Sequence, residues 1–185
     1  MSLEYTILGF LNYKPFSGYD LKKIFDTSVR HFWNADQSQI YRTLARLSEQ
    51  GLTEVEVVEQ VDRPDRKVYH ITSKGREELR AWLGGPFPNQ EPRSGPLVQV
   101  FFSGQLTDEE ILAKFRTAAE IFRFVLGRYQ QVPGQIGDIV AEIHSPRETY
   151  FWMLTLDLGI KTMQAQLDWA ETVIQAIENK QIPPQ

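Results

Sequence analysis

The sequence contains no cysteine, which excludes disulfide bonds and thiolate metal sites. Its three histidines, His31, His70 and His144, are too scattered along the chain to indicate a metal centre. It also lacks a phosphate-binding glycine loop and the HExxH and GxSxG motifs, so no residue is nominated for catalysis. No long apolar run predicts a membrane span or a signal peptide. We therefore expect a cytoplasmic protein that is not an enzyme, needs no cofactor and binds no membrane.

The chain also has no overall positive charge, since its net charge is −4. The balance is uneven, however: residues 1–83 hold 12 Lys+Arg and 12 Asp+Glu, whereas residues 84–185 hold 8 and 12. Binding to nucleic acid requires a local positive face rather than a positive total. The N-terminal half can still supply such a face.

The stretch from Asp36 to Gly51 predicts one amphipathic helix with both ends marked. Asp36 is a preferred N-cap residue, and Gly51 suits the left-handed position that ends a helix. Ile40, Leu44 and Leu47 form an apolar stripe at helical spacing. No acidic residue lies between Gln37 and Ser48, so the opposite face there suits a helix in a DNA groove, although a solvated surface helix would look the same. That face carries Gln37, Ser38, Gln39, Tyr41, Arg42 and Arg46.

The elements around this helix favour the DNA interpretation. Two short apolar helices are predicted before it, and after Gly51 the apolar period changes from 3.6 to about 2. Residues 52–61 and 68–72 predict a β-hairpin with a basic tip, followed by a helix that ends near Leu83. This is the element order of a winged helix-turn-helix, whose third helix enters the major groove while the hairpin tip reaches phosphate or the minor groove. The tip carries Arg63, Arg66 and Lys67.

Seven short motifs occur in order along residues 3–83. They are Tyr5-x-Ile-Leu-Gly-x-Leu, Ser17-Gly-Tyr-Asp-Leu, Phe32-Trp33, Gln39-Ile-Tyr-x-x-Leu-x-x-Leu, Gln50-Gly-Leu, Arg66-Lys-Val-Tyr-x-Ile-Thr-x-x-Gly-Arg and Leu79-x-x-Trp-Leu. In this arrangement the sequence resembles the PadR family of bacterial transcription regulators. One position departs from the family pattern, since the family often has Gly or Ser where this chain has Gln39.

The expected DNA contacts differ in kind. Gln37 and Gln39 can offer an amide to an adenine edge, or can simply be solvated. Arginines on the helix and the wing more often contact phosphate than bases. For Tyr41 the resemblance implies a phosphate or groove contact, the alternative being packing against the wing. The full set of candidate DNA-binding residues is Lys14, Tyr19, Gln37, Ser38, Gln39, Tyr41, Arg42, Arg46, Arg63, Arg66 and Lys67.

Beyond the winged helix, residues 84–96 hold four prolines and three glycines, which is typical of a linker. We therefore expect a winged helix-turn-helix DNA-binding domain over residues 1–84, a linker over 85–96, and a helical domain over 97–185 that serves dimerisation and effector binding. The fold class is mostly α with a small β-hairpin.

The C-terminal domain predicts a long helix from about residue 147 to 179, roughly 50 Å in length. Its apolar seam is longer than a small domain is wide, so we expect a second copy of the chain to cover it. The alternative is a helical hairpin with residues 107–131, and both can hold together. A dimer would place two recognition helices roughly 34–36 Å apart on a palindromic operator. The seam residues are Leu156, Ile160, Met163, Leu167, Ala170, Ile174 and Ile177.

The resemblance adds two expectations: longer PadR members carry a C-terminal helical dimerisation domain, and small, often aromatic molecules release such repressors from DNA. Candidate walls of an effector pocket are Trp33, Phe101, Phe102, Trp152 and Trp169, each of which could equally belong to a core or an interface. The expected function is that of a homodimeric, sequence-specific and ligand-responsive repressor of a double-stranded DNA operator. The alternatives are a winged-helix module that binds protein without binding DNA, which the acidic C-terminal half allows, and a PadR-like activator.

Overall fold

The structure is a computed structural model of the 185-residue chain and describes residues 2–30, 32–59, 65–87, 94–135, 137 and 145–183. Most of the described residues are helical, and a small antiparallel sheet lies in the N-terminal part. The described residues up to Phe87 form one unit, and those of 94–134 and from Ser145 onward form a second. Within these ranges no helix is both long and apolar enough to cross a membrane.

The first unit has the element order of a winged helix-turn-helix, as the sequence predicts. Its elements are α1 (Ser2–Tyr13), β1 (Phe16–Ser17), α2 (Gly18–Ile24), α3 (Gln37–Glu49), β2 (Thr53–Val58), β3 (Arg66–Ile71) and α4 (Ser73–Leu83). A π-helical turn, Phe25–Val29, extends α2. The strands are antiparallel in the order β1-β3-β2, and Tyr69 on β3 pairs with Phe16 on one side and Val55 on the other. The two-residue strand β1 was not predicted.

The ends of α3 follow from its terminal residues. The Asp36 carboxylate accepts a hydrogen bond from the Gln39 backbone N–H at 2.7 Å, which satisfies a donor of the first helical turn. At the other end Gly51 has a φ of +70°, in the left-handed region that other residues rarely adopt. The chain therefore leaves α3 at Gly51 and enters β2 directly.

The orientation of α3 is set by its apolar stripe. Ile40, Leu44 and Leu47 are completely buried and share one core with Ile7 and Leu8 of α1. Burying side chains of this size contributes about 1.5–3 kcal/mol each. Rotating the helix would expose all three, so the opposite, polar face must point outward.

The second unit is helical throughout its described parts. It contains α5 (Gly95–Phe101), a 3-10 turn (Ser103–Gln105), α6 (Asp108–Gln135) and α7 (Pro146–Glu178). Thr107 and Ser145 cap α6 and α7, as their sequences predict, each accepting from a backbone N–H three residues later. α6 continues through Pro133, although a proline inside a helix removes a backbone hydrogen bond and usually ends or kinks the helix.

The seam of α7 faces α6 of the same chain. Leu167 and Ala170 share a core with Phe115, Ala119 and Leu126. Ion pairs flank this core: Arg116 lies 2.7 Å from Glu178, and Arg123 lies 2.7 Å from Glu171. The other seam residues, Leu156, Ile160, Met163, Ile174 and Ile177, are also buried or half-buried. The structure thus contains the helical hairpin that the sequence analysis gave as the alternative, and cover by a second copy of the chain stays a prediction.

Candidate nucleic-acid interface

The outward face of α3 presents four side chains that can meet DNA. Gln37 and Ser38, at the start of the helix, are exposed, and neither side chain has a hydrogen-bond partner among the described residues. Tyr41 and Arg42 follow one turn later and are also exposed. The Arg42 Nε donates to the Ser38 carbonyl at 3.3 Å, which directs the side chain along the helix towards its N-terminus. These groups supply an amide, a hydroxyl, a phenol and a guanidinium within two turns.

Gln39 has a different role from its neighbour Gln37. Its side-chain oxygen accepts from the Asp36 backbone N–H at 2.9 Å, while its own backbone N–H donates to the Asp36 carboxylate. The two residues therefore form a reciprocal capping box. An adenine edge needs both an amide oxygen and an amide N–H, and the oxygen of Gln39 already has a partner. The sequence analysis predicted the Asp36 cap but did not include Gln39, three residues later, as the other half of a capping box.

Arg46 is also engaged inside the protein. Its guanidinium lies 2.7 Å from the Glu4 carboxylate on α1, and the Glu4 side chain is only 18% exposed. The pair joins the first helix to the third. Sequence reasoning placed Arg46 with Arg42 as a DNA contact, because nothing local signals a partner 42 positions away. Of the two arginines, only Arg42 has no ion pair with another described residue.

Tyr41 packs against the start of α2. A Cβ atom at Gly18 would lie 2.4 Å from the Cε1 atom of the Tyr41 ring, so this close approach needs a glycine. The ring is 41% exposed, and the remainder is covered. Burial, with a smaller effect of nearby Tyr41, raises the pKa of the Tyr69 phenol on β3. Tyr41 therefore lies beside both α2 and the sheet while keeping part of its surface open.

At the base of the wing, Arg66 forms an ion pair with Asp20 in the first turn of α2. The Ser17 hydroxyl donates to the same Asp20 carboxylate at 2.6 Å. Partial burial alone would raise the pKa of Asp20, but the hydrogen bonds from Ser17 and Arg66 outweigh it and hold the pKa below its ordinary value. Lys67 is exposed, whereas Arg63 lies outside the described residues.

Two further candidates flank the helix-turn-helix. Tyr19 is 68% exposed at the start of α2. The Lys14 ammonium lies 5.2 Å from the centroid of the Phe16 ring, a cation–π contact that holds it near the sheet. Both side chains are accessible from solvent, as contacts with a DNA backbone require.

The five candidate walls of an effector pocket belong to different units. Trp33 packs against the core of the first unit. In the second unit Phe101 and Phe102 touch edge to face and are largely exposed, whereas Trp152 is half-buried. Trp169 lines a groove of about 950 Å³ within the second unit. Its lining includes Leu97, Val100, Lys114, Phe115, Phe122 and Trp169.

Another side of α7 carries exposed apolar residues that the sequence reasoning passed over. Phe151, Leu154 and Leu158 are 47%, 44% and 67% exposed. Their spacing of 3 and 4 residues keeps them on one face of the helix, on the side away from the seam that packs on α6. We call these three residues the outer stripe. The missed signal was this second apolar period, which runs beside the first.

An exposed polar helix beside a wing, on a winged helix-turn-helix, is the arrangement with which DNA-binding proteins of this class enter the major groove. Residues 7–81 match the transcriptional regulator PadR-like family, and residues 92–178 match the family described as virulence activator alpha C-term. The probable transcriptional regulator Rv1176c of Mycobacterium tuberculosis is 30% identical over 198 residues, covering 97% of this chain and 100% of that protein. The chain therefore belongs to the PadR-like family of transcriptional regulators, which are not enzymes.

Solved structures agree with this assignment. Bacillus subtilis PadR in complex with operator DNA has a TM-score of 0.82 and 25% identity, covering 96% of this chain and 99% of that one. The same protein in complex with p-coumaric acid has a TM-score of 0.75 and 26% identity, with the same coverage. The Vibrio cholerae virulence activator AphA has a TM-score of 0.74 and 26% identity, also covering 96% and 99%. The predicted fold class and family are thus confirmed.

Proposed function

We propose that this protein is a sequence-specific repressor that binds its operator as a homodimer and is released by a small aromatic effector. The observation that carries the proposal is the exposed face of α3 over residues 37–48, which has no carboxylate, on a fold shared with a neighbour solved on operator DNA. Such a role places the protein with its operator in the cytoplasm. Repression is favoured over activation because the related Bacillus subtilis PadR is named a negative transcriptional regulator. Activation is the second candidate, supported by the similarity to AphA.

In this proposal four residues of α3 make the groove contacts. Gln37 and Ser38 meet base edges, and Tyr41 and Arg42 meet phosphate or base edges at the next turn. Lys14, Tyr19 and Lys67 contact the backbone on either side. Gln39 and Arg46 keep the helix in place, because each already has an internal partner.

The test is to select duplexes from a random-sequence pool with the purified protein and to measure affinity at several salt concentrations. We expect an enriched two-fold symmetric motif and an affinity that falls steeply as salt rises. Gln37→Ala should relax the preference at one base position, whereas Arg42→Ala should weaken binding to all sequences. An absence of enrichment together with salt-independent binding would favour the protein-interaction alternative.

The homodimer is proposed to form through the outer stripe rather than through the seam. A monomer would leave Phe151, Leu154 and Leu158 partly in water along one side of α7, and contiguous exposed apolar patches mark interaction sites. Two-fold symmetric dimers are the commonest oligomers, and they present the same patch on both copies.

Changing Leu158→Glu, which is 67% exposed, tests this interface without touching the seam. We expect the variant to be monomeric in sedimentation equilibrium and to keep its helix content. Gln175→Glu is the matched control, because Gln175 is exposed on the same helix outside the outer stripe. A dimer that survives Leu158→Glu at every concentration would exclude the stripe as the interface.

The effector is proposed to bind in the groove lined by α5, α6 and α7. Its size lies within the usual range of ligand pockets, about 300–1,000 Å³. Phe115 and Trp169 pack edge to face with ring centroids 5.3 Å apart and offer an aromatic wall. The Lys114 ammonium lines the same groove and can pair with a carboxylate. This combination suits an aromatic carboxylic acid.

p-Coumaric acid is the probe for this site, since it is the ligand in one neighbour structure. Binding should quench Trp169 fluorescence and lower affinity for the selected operator. Lys114→Met keeps the length of the side chain and should weaken binding of the acid more than binding of its amide. If the second copy of the chain fills the groove instead, the acid will dissociate dimers rather than bind to them, and sedimentation will show it.

A further inference from the structure

Arg66 and Asp20 form the only ion pair that joins a wing strand to the helix-turn-helix within the described part of the first unit. Arg66 is the first residue of β3, directly after the segment that makes the wing tip, and Asp20 lies in the first turn of α2. Their side chains are 49% and 36% exposed, so the pair is open to solvent. Exposed ion pairs contribute little to stability, typically below about 1 kcal/mol. The pair therefore calls for another explanation.

The chemistry of the pair resembles the contact that Arg66 would make with DNA. A carboxylate and a phosphate are both anions, and each can present two oxygens to the paired N–H groups of a guanidinium. When Asp20 holds Arg66, the base of the wing carries no net charge. The base of the wing then adds little to the sequence-independent binding that depends on phosphate contacts alone.

We propose that Asp20 masks Arg66: it serves as an internal substitute for phosphate and thereby suppresses binding to DNA of the wrong sequence. Arg66 exchanges Asp20 for a phosphate only where the contacts of α3 with the correct bases hold the wing in place. Asp20 is thus a specificity-determining residue that never touches a base. Specificity of this kind comes from weakening wrong complexes rather than strengthening the right one.

The Ser17 hydroxyl fixes the orientation of the Asp20 carboxylate that masks Arg66. It donates to Asp20 at 2.6 Å while its oxygen accepts from the Asp20 backbone N–H at 3.2 Å. The carboxylate is thereby oriented towards β3 before any DNA arrives. Partial burial would raise the pKa of Asp20, but hydrogen bonds from Ser17 and Arg66 hold it below its ordinary value, so the group is ionised at neutral pH as an ordinary aspartate is.

The inference rests on the proposed DNA binding, and its test uses two probes: a short duplex of scrambled sequence and the selected operator. Asp20→Asn keeps the shape of the side chain and an oxygen for Ser17 but removes the charge. We expect affinity for the scrambled duplex to rise several-fold and its salt slope to steepen by about one. Operator affinity should change less, so the specificity ratio should fall.

Two controls separate masking from a general change of charge. Glu77→Gln makes the same change of net charge on α4, where Glu77 is exposed, and should leave the salt slope unaltered. In an Arg66→Gln background, Asp20→Asn should lose most of its effect on the scrambled duplex. Equal effects in both backgrounds would mean simple repulsion by Asp20, and weaker binding of Asp20→Asn to both duplexes would mean that the pair positions the wing. Either result overturns the proposal, whereas failure of the unaltered protein to bind any duplex would overturn the DNA-binding function itself.

Discussion

The Arg46 guanidinium on the recognition helix and the Glu4 carboxylate on the first helix lie 2.7 Å apart. This ion pair gives Arg46 a different role from Arg42, although the two arginines look equivalent in the sequence. Arg46→Ala should lower the free energy of unfolding by a fraction of 1 kcal/mol, because the Arg46 side chain is 52% exposed and solvent screens the pair. Arg42→Ala should leave thermal stability unchanged and weaken DNA binding. Thermal melts and duplex titrations of both variants would check this, and identical behaviour of the two would contradict it.

Gly18 is predicted to be intolerant of a side chain. Gly18→Ala would place a methyl group 2.4 Å from the Tyr41 ring, so either the ring or the start of α2 must move. We expect a loss of about 1–3 kcal/mol in stability and weaker DNA binding, because Tyr41 lies on α3. Gly9→Ala is the matched control, since nothing lies within 4 Å of its added methyl group. That variant should be stabilised by about 0.5–1 kcal/mol, as expected for alanine inside a helix. Urea denaturation of both variants measures the difference.

The seam and the outer stripe of α7 are predicted to respond differently to truncation. Leu167 is 6% exposed, so Leu167→Ala should cost about 2–5 kcal/mol at any protein concentration. Leu158→Ala should destabilise only where the protein is dimeric, so its effect should vanish on dilution. Denaturation curves over a wide range of protein concentration would distinguish the two residues. A concentration-independent loss at Leu158 would argue against an interface there.

Stability at low pH should report on Asp20. Its pKa in the folded protein lies below the ordinary value of 3.8, so the folded state binds fewer protons than the unfolded chain in that range. The stabilisation is therefore fully present above about pH 5 and is lost as the pH falls through 3.8 towards the folded pKa. Asp20→Asn should remove this part of the acid dependence. A series of thermal melts between neutral and acidic pH would show whether the two curves converge at the acid end.

The sequence predicted what is determined locally. The caps at Asp36, Thr107 and Ser145, the glycine at position 51 and the apolar stripe of α3 each depend on neighbours a few positions away. Such patterns have the same meaning in any chain, because they reflect backbone hydrogen bonding and helical spacing.

Ion pairs between residues that lie far apart in the sequence were not predicted. Two ion pairs, Glu4–Arg46 and Asp20–Arg66, form only because of how the helices and strands pack. No periodicity in the sequence predicts either pair. The apolar seam of α7 was predicted, but the sequence left two partners open for it, a second copy of the chain and the hairpin with α6. Spacing shows that a face must be covered, and it does not show which element covers it. The departure from the family pattern at Gln39 likewise gained a physical reason only when its bond to Asp36 was seen.

The division of α7 into an inward seam and an outward stripe has a consequence for how this regulator can diverge. Because the hairpin with α6 holds the seam within one chain, substitutions on the stripe need not threaten folding. In the proposed dimer, two copies that arise by gene duplication could lose affinity for each other through a few changes at positions such as Leu154 and Leu158. New regulators could then arise without forming mixed dimers with the original protein.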